Sequence, residues 1–111
     1  MKSIQTMIKR VGQLLALVTA DCYHYTRPAE ITNKYIVWQE DGEDDSFSSG
    51  NRKQEQQIHG TIDYFTQDEY DPAVDEIQEA LDAAEIGFRI DSVQYEDNTK
   101  LIHYAWEFWV S

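Results

Sequence analysis

Apolar residues return every three or four positions at the start of the chain: Ile4, Met7, Ile8, Val11, Leu14, Leu15 and Val18. A helix needs that period to gather one apolar stripe, and Lys2, Gln5, Lys9 and Gln13 fall on its other side. Beyond it the period shortens to two. Cys22-Tyr23-His24-Tyr25-Thr26, ended by Arg27-Pro28, and Tyr35-Ile36-Val37-Trp38 are rich in strand-forming residues. In a third strand Ile58, Gly60, Ile62 and Tyr64 share one face, with His59, Thr61, Asp63 and Phe65 on the other. Gly60 in mid-strand marks a bulge or the close approach of another backbone.

Asp71 before Pro72 opens a second helix, because an acidic cap accepts free amides and proline suits the first helical position. Val74, Ile77, Leu81 and Ala84 are its apolar stripe, and Gly87 its expected stop. Phe88 to Tyr95 and Lys100 to Val110 then form a hairpin around Glu96-Asp97-Asn98-Thr99. The last strand sets Ile102, Tyr104, Trp106, Phe108 and Val110 against Leu101, His103, Ala105, Glu107 and Trp109. The order is α-β-β-β-α-β-β. Few crossover helices imply an α+β fold: a mostly antiparallel β-sheet with two helices packed on one face. All 111 residues fit one domain.

Charge changes the picture between the second and third strands. Five of the six residues 40–45 are carboxylates, Glu40, Asp41, Glu43, Asp44 and Asp45, and Ser, Gly and Asn follow. Such a segment buries too little apolar surface to offset its ordering entropy, so residues 40–53 read as an exposed, mobile loop. Over the whole chain 9 basic and 21 acidic residues leave a net charge of −12. That balance argues against sequence-specific nucleic-acid binding, which needs clustered Lys and Arg, and against an anionic membrane surface. One cysteine excludes an internal disulfide. No stretch approaches the roughly 18 apolar residues of a membrane span. Lys2, Lys9 and Arg10 ahead of Leu14 to Val18 imitate a signal peptide, but Gly12 and Gln13 interrupt the run and Asp21 spoils a lipoprotein site at Cys22. The helical reading uses the whole pattern, and an intracellular protein is expected.

Catalytic chemistry finds little support. Cys22-x-His24, with His59 or His103, lacks the paired spacing of a zinc site, and no orienting group accompanies a Cys22–His24 nucleophile and base. Five scattered glycines build neither a phosphate loop nor a dinucleotide motif. The reading is no enzyme, no metal and no cofactor.

Three stretches carry a family resemblance. They are Gly60-Thr61-Ile62-Asp63-Tyr64-Phe65-Thr66, the helix Asp71 to Leu81, and Ser92-Val93-Gln94-Tyr95-Glu96 with Ile102-His103-Tyr104. Together they resemble the tail terminator (tail-completion, tail-to-head joining) proteins of long-tailed phages and prophages, over most of the chain. The resemblance implies an α+β subunit of a hexameric ring that caps the finished tail tube and meets the head connector. Its partners would be copies of itself, the tail tube protein and the head–tail connector protein. It would be found in the virion at the head–tail junction, and in the host cytoplasm during assembly.

Charge asymmetry nominates the interface residues. The first helix carries Lys2, Lys9 and Arg10 and no acid, whereas residues 68–85 carry eight acids and no base, among them Asp75, Glu79 and Asp82. These two surfaces are expected to face each other across subunit boundaries, or the acids to line a DNA channel that like charge keeps from sticking. Trp109 falls opposite Trp106, so one of the two cannot enter a one-sided core and is expected to meet a partner. The alternatives are an acidic DNA mimic that occupies a nucleic-acid-handling enzyme, or a head-completion adaptor.

Overall fold

In a computed structural model, residues 3–43 and 56–111 are described. The elements are α1 (Ile4–Ala16), β1 (Cys22–His24), β2 (Tyr35–Glu43), β3 (Ile58–Thr66), α2 (Pro72–Ala83), β4 (Gly87–Glu96) and β5 (Leu101–Val110). They form a five-stranded sheet in the order β1-β2-β3-β5-β4, with both helices on one face. The fold is the α+β arrangement that the pattern predicts. The sheet is mostly antiparallel as expected: β1 runs parallel to β2, and every other pair is antiparallel.

The core lies between helices and sheet. Met7, Val11 and Leu15 of α1 and Ile77 and Leu81 of α2 pack onto Ile36, Trp38, Ile62, Tyr64, Trp106 and Phe108. The register explains the alternation, since Trp38, Ile62, Trp106 and Ile90 lie side by side across four strands. Two glycines permit close approach. A Cβ on Gly12 would stand 2.7 Å from the Trp38 indole, so its absence lets α1 settle on β2. A Cβ on Gly60 would stand 2.4 Å from both the Gln39 carbonyl and the Phe108 ring, which is the close approach expected there.

Ser3 caps α1 by accepting from the Thr6 amide, and Asp71 caps α2 by accepting from the Ala73 amide at 2.9 Å. The stop of α2 differs from expectation. Glu85, at φ 59, takes the left-handed position, and the Ile86 amide returns to the Leu81 carbonyl at 2.9 Å. Gly87 instead begins β4, lying beside Trp109.

The acidic segment needs correction. Glu40, Asp41 and Glu43 are not in a loop; they extend β2 well past Trp38, where Glu40, Gly42 and Glu43 pair with Gly60, His59 and Ile58 of β3 and Asp41 bulges between them. The exposure that composition implies holds at Asp41 and Glu43, but ladder bonds and the histidine partners of Glu40 and Asp41 keep the segment in strand. Asp44 and Asp45 lie outside the described residues. β1 is shorter than expected, because Tyr25 turns away at φ 76 before Pro28 is reached.

Candidate functional site

Register divides the chemistry between two faces. Cys22 and His24 sit opposite Ile36 and Trp38, on the helix side. His59 and His103 sit on the open side, so the combination of Cys22 and His24 with either cannot form one metal site. Among the described residues no three His, Cys, Asp or Glu side chains converge as metal ligands would. Burial pushes the Cys22 thiol up to about 11, which leaves it a poor nucleophile.

All three histidines instead bind carboxylates. On the open face His59 reaches Asp41 through Nδ1 at 2.6 Å and Glu107 through Nε2 at 3.0 Å. Asp41 is the extra residue of a bulge between Glu40 and Gly42, and its side chain still reaches His59 from there. Arg89 of β4 donates to the other Glu107 oxygen, so the row runs across four strands. A second row joins Asp63 to His103 Nε2 at 2.7 Å, with Glu96 at 3.4 Å from Nδ1. The His103 ring stacks on Phe65 at 4.2 Å and Phe65 on Tyr35 at 4.7 Å. Trp109 lies on this same open face, edge-on to His59 at 5.5 Å. It therefore falls opposite Trp106, as its position in the strand predicts.

The two outer edges of the sheet differ. At the β1 edge a groove runs between α1 and the sheet, lined by Ile8, Lys9, Gly12, Ala16, Tyr25 and Trp38. Glu40 closes its side by accepting from the Tyr25 hydroxyl and bonding His24 Nε2 at 2.7 Å. At the β4 edge three large apolar side chains are exposed: Ile90 at 43%, Val93 at 54% and Tyr95 at 58%. All three face the helix side, opposite Trp106, Tyr104 and Ile102. Alternation alone would separate Ile90 from Val93; the bulge at Asp91 restores them to one face.

The predicted interface residues are thus scattered. Lys9 lines the β1-edge groove. Arg10 lies on the inner flank of α1, where its guanidinium donates to the Ala84 carbonyl at the end of α2. It works inside the subunit, as a cation placed against a helix C-terminus. Asp75, Glu79 and Asp82 are exposed along α2. Glu76 lines a second groove with Leu14, Leu17 and Val18, so the flank with Asp75 and Asp82 points away from α1. The apolar β4 flank is not visible in the sequence, because the alternation breaks at Asp91.

No protein-family model matches the chain, and no curated protein does. Among solved structures, a chain in the virion of a native gene transfer agent (GTA) particle shares the fold at a TM-score of 0.59. It is 13% identical, and the match covers 97% of this chain and 92% of that one. A likeness at that identity establishes the fold.

Proposed function

We propose that the chain is a structural protein of a phage or phage-like virion, a subunit of a ring that caps the tail tube and joins it to the head connector. The observation that carries this reading is the end-to-end likeness to a chain of a gene transfer agent virion, with 97% of this chain aligned. A partial match would fit a common module; one that spans both chains favours the same kind of part. The resemblance of Gly60–Thr66 and Asp71–Leu81 to tail terminators points the same way. The two dissimilar sheet edges also suit a subunit with a neighbour on either side. As a DNA mimic the chain would need its carboxylates free, whereas Glu40 and Asp41 are engaged by His24, Tyr25 and His59.

The test is complementation of a phage or prophage that lacks this gene, scored by infectious titre and by electron microscopy of tails. Without the protein, tails should be of uncontrolled length or unjoined to heads, and the protein supplied in trans should restore both. Normal titre in its absence would end the reading. Joined heads with missing internal connectors would favour the head-completion adaptor.

A further inference from the structure

Resting on the ring reading above, we infer that the two sheet edges are the halves of one head-to-tail contact. The Ile90–Val93–Tyr95 flank of β4 on one copy seats in the α1–β1–β2 groove of the next, and Asp75 and Asp82 of the first face Lys9 of the second.

Shape comes first. β4 is an edge strand of ten residues with only β5 beside it, so its outer side has no strand partner among the described residues. Long exposed edges with apolar side chains invite pairing unless something blocks them, and a bulge that hid those side chains would be one such block. Here the bulge at Asp91 does the opposite, since it brings Val93 and Tyr95 to the same side as Ile90. At the other end of the sheet the groove has an apolar floor of Ile8, Ala16 and Trp38. Gly12 sets its depth by letting the helix lie on the indole.

Charge then selects the occupant. The α1 flank that borders the groove carries Lys9 and no acid, and Glu40, the carboxylate on the sheet side of the groove, is held by Tyr25 and His24. The α2 flank on the β4 side carries Asp75 and Asp82 and no base, with Asp91 exposed in the strand beneath. An apolar ridge beside carboxylates thus matches an apolar groove beside a lysine, and one chain carries both. A second copy of this chain fits both surfaces at once. Because the two lie on opposite edges, β1 and β4, the contact is heterologous. Repeated by rotation, it closes a ring, with an open filament as the outcome if the angle fails.

Two edge variants test the contact by sedimentation velocity, with circular dichroism as the check on folding. Val93→Asp disables the β4 side; Lys9→Glu with Ala16→Glu disables the groove side. Each alone should require at least tenfold higher concentration to self-associate. Mixed one to one, they retain one good ridge and one good groove, so they should form a dimer and stop there. Joining Lys9→Glu to Asp75→Lys and Asp82→Lys in one chain should restore the ring. A mixture that stays monomeric, or that grows beyond a dimer, overturns the inference. If both variants still form rings and cap tail tubes normally, this contact is wrong while the ring reading stands. If the unsubstituted chain stays monomeric with and without tail tubes, the ring reading fails and the contact falls with it.

Discussion

The Tyr64 hydroxyl donates to an Asp71 carboxylate oxygen over 2.7 Å, which fastens the start of α2 to the middle strand of the sheet. Thr66 donates to the same oxygen at 2.6 Å, and the other oxygen takes the Ala73 amide at 2.9 Å. A carboxylate only 6% exposed is tolerable because its lone pairs are so fully used. Burial alone would raise its pKa; the bonds from Thr66, Ala73 and Tyr64 and the nearby Lys34 ammonium outweigh that and hold it below 3.8. The Tyr64 hydroxyl is pushed up, first by burial and then by the Asp71 charge.

Asp71→Ala should therefore cost about 3 kcal/mol, since it removes a helix cap and strands two hydroxyls without an acceptor. Because the folded value is depressed, the charge contributes stability above the ordinary value of 3.8, and that is lost as pH falls through the folded one. Urea unfolding of the chain and of Asp71→Asn from neutral to acidic pH checks this. The unsubstituted chain should have the steeper acid limb.

Glycine space gives a second prediction. Gly60→Ala drives a methyl into the Gln39 carbonyl and the Phe108 ring, and neither can withdraw without breaking the sheet or the core. A loss of about 3 kcal/mol or more is expected. Gly12→Ala meets only the indole edge of Trp38 and gains about 1 kcal/mol of helix propensity, so it should cost clearly less. Thermal melts of both variants decide the order, and the reverse order would mean that α1 is the more rigid neighbour.

How much of this was legible in the sequence depends on the range of the interaction. The α1 stripe, the Asp71-Pro72 start and the faces of β3 and β5 are local periodicities, and each was legible. Glu40 and Asp41 were not, because their place in β2 depends on His24 and His59, which are distant in sequence. The role of Arg10 was hidden likewise: nothing near it announces the Ala84 carbonyl across the helix pair. Trp109 was placed correctly because alternation in β5 is unbroken, whereas the bulge at Asp91 concealed the β4 flank. Glu85 in the left-handed position had no signal either, since glycine is the usual marker and Gly87 stood two residues on.

Cys22 offers a third prediction. With its thiol raised to about 11 by burial, very little thiolate exists near neutral pH. Alkylation by iodoacetamide at pH 7.5, about neutral, should be at least tenfold slower in the folded chain than in the same chain in urea. Equal rates would show that β1 opens readily and that the groove beside it is not a fixed surface.

The last prediction concerns His59, whose two ring nitrogens both face carboxylates, Asp41 and Glu107. A neutral imidazole donates from only one nitrogen, so the arrangement is satisfied in full by the imidazolium. Burial by itself lowers the pKa, but the bonds and charges of Asp41 and Glu107 outweigh it and raise His59 above its ordinary 6.5. The bond from His59, with burial opposing it and Arg89 assisting, in turn holds Glu107 below 4.5. A raised folded value means that this stabilisation is complete below the unfolded value of 6.5 and fades as pH rises through the folded one. The sheet face should therefore loosen as pH climbs from 6.5 through the raised folded value of His59. Melting temperatures of the chain and of His59→Gln across that range test it. The unsubstituted chain should lose stability with rising pH, and the variant, which cannot titrate there, should follow a flatter curve. Protection factors at the amides of residues 58–62 and 105–109, which remove the base-catalysed rise in intrinsic exchange, should fall over the same interval more in the unsubstituted chain than in the variant. Parallel curves for the two proteins would mean that His59 stays neutral, with one of its carboxylate neighbours swung away into solvent.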